Sequence, residues 1–236
     1  LLKRDFSANE VFRIMTGRKK IIRFEPPEEP VNAGNTKVTR EDWLNVAMDV
    51  LVTDGVENVK VLGLSERLDV SRSSFYWYFK SRKHLLDVLL EHWDATNTRT
   101  FVEKCGLPSE TITEALCYFF HCFMNGAIFN LPLDIAIREW ARNSGHVRQL
   151  LDQSDTIRLT VIASMYERHG YSESEAITRA RILYYMQMGY HTFEVIDSLE
   201  TRLAATEGYL YAFTGKIPHQ AEIDALAAYA REHIDD

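Results

Sequence analysis

The chain has 236 residues, 46% hydrophobic and 26% charged, with a formal net charge of −7. That balance belongs to folded globular proteins and excludes a disordered chain, a collagen-like fibre and a disulfide scaffold. The acidic total argues against polyanion binding by the whole surface. Charge is nevertheless uneven. The first 36 residues are basic on balance and residues 101–236 are strongly acidic, while residues 71–83 hold Arg72, Lys80, Arg82 and Lys83 and no acid. Cys105, Cys117 and Cys122 form no Cys-x-x-Cys pair, and their odd number suits a reducing compartment. No charged-then-apolar opening with a small-residue cleavage site is present, so no secretory leader is expected. The longest uncharged stretch, Ala115–Leu133, is interrupted by His121, Asn125, Gly126, Asn130 and Pro132. It reads as a buried helix followed by a turn, not a membrane span. The expected setting is cytoplasmic, with no membrane partner.

Helical spacing recurs almost throughout, so the expected fold class is all-α. Residues 1–36 read as an appendage. Arg18, Lys19, Lys20 and Arg23 make it basic, a short helix fits Glu10–Met15, and Pro26, Pro27 and Pro30 bar a continuous one. This segment is either a basic arm that touches nucleic-acid phosphates or a poorly ordered terminus. Thr39 opens the first firm helix as an N-cap, with Glu41 and Asp42 suiting its positive end. Trp43, Val46, Ala47, Val50 and Leu51 form one apolar stripe, and Gly55 closes the helix as a left-handed cap would. A second helix is expected over about Val59–Leu68. The turn Asp69-Val70-Ser71 follows, with Asp69 tolerating the left-handed region. Ser71 caps a short third helix through about Tyr78, and Ser81 caps a fourth that runs to about Arg99. Two short helices joined by a tight turn and propped by a longer one make a helix-turn-helix. The second of the pair must project into the major groove, which is wide enough for one helix.

Within this unit, Val38 to Leu86 resembles the tetracycline-repressor (TetR) family of bacterial regulators. The resemblance rests on Thr39-Arg40-Glu41, on Ala47 and Gly55, and on the second helix and turn at Leu64–Ser71. It continues through Ser71–Phe79 (SRSSFYWYF), with Tyr76 and Phe79 on the two signature aromatic positions, and Ser81–Leu86. The chain departs from the pattern at Ser65, Asp69, Ser73, Ser74, Tyr78 and Arg82. The resemblance implies double-stranded DNA as a partner, with Thr39, Ser71, Arg72, Ser73, Ser74, Tyr76 and Tyr78 in the contact set. Arg72 suits guanine or phosphate, the serines suit either, and the tyrosine hydroxyls suit phosphate oxygens. Lys80 and Arg82 are expected on backbone phosphate, Arg82 assisted by the amides of the fourth helix. Phe75 and Phe79 are expected in the core, and Trp77 leans towards the surface.

Five or six further helices follow, over about Ser109–Phe129, Leu131–Asn143, Val147–His169, Ser172–Ile196, Leu199–Phe213 and Gln220–His233. Ser172 and Glu175 are expected to form a capping box. Tyr209–Gly215 resembles the end of the last long helix in one branch of the family. The expected division is an extension over 1–36, a helix-turn-helix domain over 37–84, and a larger helical effector-binding and dimerisation domain over 85–236. The resemblance implies a homodimer in which the helices near 173–196 and 199–213 pair across a two-fold axis. It also implies an effector pocket, for which Cys117, Phe120, His121, Met124, Trp140, Tyr166, Tyr184 and His191 are candidates. An apolar or aromatic small molecule is the expected effector, and no cofactor is called for. Cys117 and His121 share a helix face, but two ligands without a third do not make a metal site. The leading reading is a dimeric regulator, a repressor on a palindromic operator. Its rivals are a small-molecule-binding helical enzyme and a protein-binding adaptor. The enzyme lacks GxSxG, HExxH, GxxxxGK[ST] and GxGxxG motifs.

Overall fold

The computed structural model describes residues 38–234, so the expectations for residues 1–36 lie outside the described residues. Among the described residues the chain is helical, without strands. Helix α1 spans Arg40–Asp54. Thr39 accepts the Asp42 amide while the Asp42 carboxylate accepts the Thr39 amide, a full capping box. Trp43, Leu44, Ala47, Val50 and Leu51 are buried along one side. Gly55 ends the helix with φ 81° and ψ 165°, so the expected left-handed cap is corrected to an extended positive-φ conformation that favours glycine. A 3-10 turn at Val56–Asn58 leads into α2, Val61–Arg67, and the turn to α3, Arg72–Tyr78. Asp69 carries the turn at φ 53°. Ser71 sits at the N-cap position, but its hydroxyl pairs with that of Ser73 (2.7 Å) instead of capping the helix.

Helix α4, Arg82–Trp93, is capped by Ser81 and continues through a π-turn at Asp94–Thr98 into α5, Arg99–Cys105. The rod is therefore longer than its apolar pattern suggests. The π-turn buries Asn97 and Thr98. Asn97 bonds the backbone of Asn130 in both directions, donating to its carbonyl (2.8 Å) and accepting its amide (3.1 Å). The helices beyond are α6 (Ile112–Met124), α7 (Leu131–Asn143), α8 (Gly145–Arg168), α9 (Glu173–Thr192), α10 (Leu199–Ala204), α11 (Thr206–Thr214) and α12 (Gln220–His233). Thr111, Asn130, Ser144, Ser172 and Ser198 each accept the amide three residues on, which satisfies an orphan donor at a helix start. At Ser172 this is only half of the expected box, because the Glu175 carboxylate pairs with Arg179 (2.9 Å). Helix α9 stops short of Ile196, near Glu194 at φ 52°, and the helix expected over Leu199–Phe213 breaks at Ala205.

Two apolar clusters hold these helices. The first joins Trp43, Leu51, Phe75, Phe79 and Leu89 to Leu133, Ile137, Val147 and Leu151, so it unites residues on both sides of residue 85. The second gathers Phe101, Phe119, Phe129, Tyr166, Tyr184 and Leu210. A buried charge network links the two. Arg158 and Asp134, both inaccessible to solvent, pair at 2.8 Å. The Arg158 guanidinium lies over the rings of Trp93 (5.4 Å), Phe101 (5.0 Å) and Phe129 (5.6 Å). Trp93 of the first cluster donates its indole N–H to Asp134 Oδ1 (2.8 Å). Arg138 bridges Asp134 and Asp155, and Tyr184 donates to Asp155 (2.7 Å). Burial alone would push the Asp134 carboxyl upwards, but Arg158 and Arg138 outweigh it and bring the value from 3.8 down to about 2.

Removing one partner of such a pair leaves the other charge buried and uncompensated. Asp134→Ala is expected to cost about 3–5 kcal/mol in urea unfolding. Because the folded value is depressed, the Asp134 contribution is complete above the unfolded value of 3.8 and lost as pH falls through about 2. Urea melts across that window are expected to show a pH-dependent loss in the wild-type chain that is smaller in Asp134→Ala.

Candidate functional site

Helix α3 has two unlike sides. Phe75 and Phe79 are fully buried, stacked with centroids 5.4 Å apart, and Trp43 of α1 meets Phe75 edge-on at 5.3 Å. This anchors the helix through one face. On the other face Arg72, Ser73, Tyr76 and Trp77 are exposed, the two aromatic residues to 61% and 67%. Large exposed aromatic surface is costly to keep in water, so a row of it beside a free guanidinium marks a contact face. Ser74 is half-buried and its hydroxyl donates to the Ser71 carbonyl (2.8 Å).

The cations around this face divide by their partners. Arg72 and Lys80 are exposed and make no ion pair among the described residues. Lys83 pairs with Asp87 at 2.7 Å. Arg82, expected on phosphate, is half-buried, and its guanidinium donates to the Val59 carbonyl at 2.6 Å and to the Val56 carbonyl at 2.5 Å. It closes the loop before α2, with Nε and one terminal nitrogen engaged within the fold. Tyr78 is likewise engaged within the fold. It is half-buried and its hydroxyl donates to the Val38 carbonyl (2.8 Å), which tethers the segment before α1 to the recognition helix. Thr39 is exposed, with its hydroxyl engaged to Asp42 (2.7 Å). The Asp42 carboxyl is lowered by the Thr39 amide first and its hydroxyl second. Arg40, next to Thr39, was not singled out as a contact. It is exposed, its guanidinium lies 5.3 Å from the Phe79 ring, and it adds another cation near the end of α3. Its position in the first helical turn was the available signal.

In the second cluster a cavity of about 130 Å3 opens between α6, α9, α10, α11 and α12. Phe120 and Met124 line it as expected, together with Phe123, Met186, Tyr190 and Arg202. His191 lies beside it, stacked on Phe123 (5.3 Å) and 2.7 Å from the Gln187 amide. Burial, then the Arg202 charge, brings the His191 imidazole down to about 4, so it is neutral at pH 7. His121 stacks on Tyr229 (3.6 Å) and is likewise brought to about 4, mainly by burial. Cys117 is buried near the Glu222 carbonyl (3.9 Å), and burial pushes its thiol up to about 12. Tyr166 is fully buried, with its hydroxyl on the Phe213 carbonyl (3.4 Å). Cys117, His121, Tyr166 and His191 are thus not part of the lining, and neither are the other two candidates: Trp140 packs against the first cluster, and the Tyr184 hydroxyl belongs to the buried charge network. Among the described residues no three His, Cys, Asp or Glu side chains come together as a metal site, and no helix is long and apolar enough to cross a membrane.

An anchored helix presented by a helix-turn-helix, joined to a larger helical body, defines the class: a protein with a DNA-binding domain and a helical C-terminal domain. Residues 44–89 match the family model of bacterial regulatory proteins, tetR family. Two repressors of Escherichia coli are similar over this region. Tetracycline repressor protein class C is 38% identical over 55 residues, 23% of this chain and 25% of that protein. Tetracycline repressor protein class A from transposon 1721 is 36% identical over 62 residues, 26% of this chain and 29% of that protein. The match thus spans between a quarter and a third of these relatives' length. Over most of the chain the fold resembles Mycobacterium smegmatis AmtR, with TM-score 0.55 and 16% identity over 88% of this chain and 100% of that one. It also resembles a TetR-family transcriptional regulator from Marinobacter aquaeolei VT8, with TM-score 0.57 and 10% identity over 83% and 98%. The helix-turn-helix region is thus similar to the tetR family of bacterial regulatory proteins, and the likeness over the longer chain is one of fold.

If Arg82 is a tether, Arg82→Ala lowers folding stability by about 2 kcal/mol in urea melts. DNA binding then falls with the folded fraction, while the salt dependence of the folded fraction's affinity stays unchanged. A phosphate role for Arg82 predicts the reverse pattern.

Proposed function

We propose that this protein is a sequence-specific DNA-binding regulator of transcription, a repressor that acts as a homodimer in the cytoplasm and releases its operator when an effector binds. The observation that carries the reading is α3, held by Phe75 and Phe79 while Arg72, Ser73, Tyr76 and Trp77 are exposed on its outer side. Arg72 reaches base edges or phosphate, Ser73 bonds either, and Tyr76 and Trp77 offer ring faces to thymine methyls and sugar. Lys80 and Arg40 serve as phosphate contacts. Unbiased selection of bound duplexes from a random pool is expected to return a palindrome. Its half-site centres should lie about one helical turn apart, or a multiple of that. A protein that holds no sequence above random duplex at moderate salt refutes the reading. Lys80→Ala is expected to weaken all sequences evenly and to flatten the salt slope by about one unit, measured by titrations at several salt concentrations.

The dimer reading is supported by unpartnered apolar surface on the last helices. Ile182 and Tyr185, three residues apart on α9, are exposed to 56% and 50%, and Ile196 beyond its end is 94% exposed. Two copies meeting across a two-fold axis cover the same patch on each and set two α3 helices at a fixed spacing. Effector binding acts by favouring a dimer in which that spacing no longer fits, which requires unequal affinity for the two states. Sedimentation of the wild-type chain is expected to give a dimer, and Ile182→Asp a monomer with much weaker operator binding. A wild-type monomer that still selects a palindrome contradicts this arrangement.

A further inference from the structure

The cavity of the second cluster carries one feature that an apolar effector leaves unexplained. Phe120, Phe123, Met124 and Met186 give it aromatic and polarisable walls, yet Arg202 is also part of the lining. Arg202 is half-buried, and among the described residues its guanidinium makes no hydrogen bond and no ion pair. The other buried or half-buried arginines of this part of the chain have a carboxylate: Arg158 pairs with Asp134, Arg138 with Asp134 and Asp155, and Arg179 with Glu175. A guanidinium partly removed from water and left without an acceptor is unfavourable, and its fork of donors fits a carboxylate in bidentate fashion.

The neighbouring groups narrow the choice. Asp197 also borders the cavity, but it is exposed and accepts the Tyr190 hydroxyl (3.1 Å), so water and that donor already satisfy it. His191 is neutral at pH 7 and its imidazole is engaged with Gln187, so it supplies no second cation. Arg202 is the one cation in the lining among the described residues. Volume sets the size. The cavity of about 130 Å3 is close to the ~150 Å3 of an apolar protein cavity that accepts benzene. One ring with a small substituent fills such a space. A doubly charged head group would meet Asp197 with only one cation to offset it.

We propose that this cavity binds a monocyclic aromatic carboxylate, its carboxylate paired with Arg202 and its ring among Phe120, Phe123, Met124 and Met186. The inference rests on the reading of the second domain as effector-binding and specifies the chemistry of the effector. Arg202 is a specificity-determining residue in it, and the aromatic walls supply affinity that a neutral ring shares.

Calorimetric titration of the full chain with benzoate, benzamide and phenyl phosphate tests the assignment. Benzoate is expected to bind about tenfold or more tightly than benzamide, and Arg202→Met to lose about that factor for benzoate alone. Arg202→Lys is expected to fall between, because it keeps the charge and loses the fork. A thermal melt of each variant checks folding, and Arg202→Gln replaces Arg202→Met if the latter is unfolded. Equal binding of benzoate and benzamide, undiminished benzoate binding in Arg202→Met, or tighter binding of phenyl phosphate than of benzoate overturns the proposal. Release of selected DNA is measured in parallel. If benzamide releases DNA and benzoate does not bind, the effector reading survives and the carboxylate assignment fails. If benzoate binds through Arg202 and DNA stays bound, the assignment survives and the effector reading fails.

Discussion

The Asp134–Arg158 pair is the constraint around which the molecule is arranged. Both side chains are withdrawn from solvent, and each is tolerable there only because the other is present. Their neighbours come from both apolar clusters, with Trp93 on one side and Phe101, Phe129 and Tyr184 on the other. The π-turn at Asp94–Thr98 belongs to the same arrangement. It widens the helix where Asn97 and Thr98 must face inward, and these two residues bond Asn130, Ser154 and Arg158. The rod that leaves the helix-turn-helix thus enters the second cluster through a polar, geometrically demanding joint. Apolar contacts tolerate sliding, whereas a buried ion pair with directed hydrogen bonds has few alternative registers. Together with the first apolar cluster, this joint connects the helix-turn-helix to the larger helical body.

At the other end of the rod, the helix-turn-helix uses its charges in two ways. Arg67 is held by Asp49 and Asp54, and Arg82 by two loop carbonyls, so these cations build the domain. Arg72, Lys80 and Arg40 keep their charge facing outward. An overall acidic protein can therefore present a locally basic face, since screening confines each charge to its own neighbourhood. The aromatic residues divide in the same manner. Phe75 and Phe79 lock α3 into the core, and their burial is what leaves Tyr76 and Trp77 standing outward.

The second cluster repeats the contrast between satisfied and unsatisfied polar groups. Glu222 accepts from Thr111 and Thr113 and ties α12 to the start of α6. Tyr184, Tyr166 and Cys117 are pushed up by burial and stay uncharged. Arg202 stands apart from this pattern, charged and unpaired at the edge of an apolar space. A half-buried polar group that the fold leaves without a partner points to a ligand more strongly than residue type alone.

The sequence by itself determined the all-α class, the helix-turn-helix and most helix starts. These depend on contacts three or four residues apart: Thr39 with Asp42, Ser81 with His84, Ser144 with Val147. The core side of α3 was legible for the same reason, since Phe75 and Phe79 stand four residues apart, whereas the outward place of Tyr76 came from the family pattern. What only the tertiary structure decided involves partners far apart in the chain. Arg82 meets carbonyls 23 and 26 residues earlier, Tyr78 meets one 40 residues earlier, and Trp140 joins the first cluster instead of the cavity. Arg202 shows the reverse case, a charge that looks like ordinary surface in sequence and becomes distinctive only when no acid pairs with it among the described residues. Local spacing specifies which face a side chain is on. Whether its hydrogen bonds are already taken depends on what folding brings opposite.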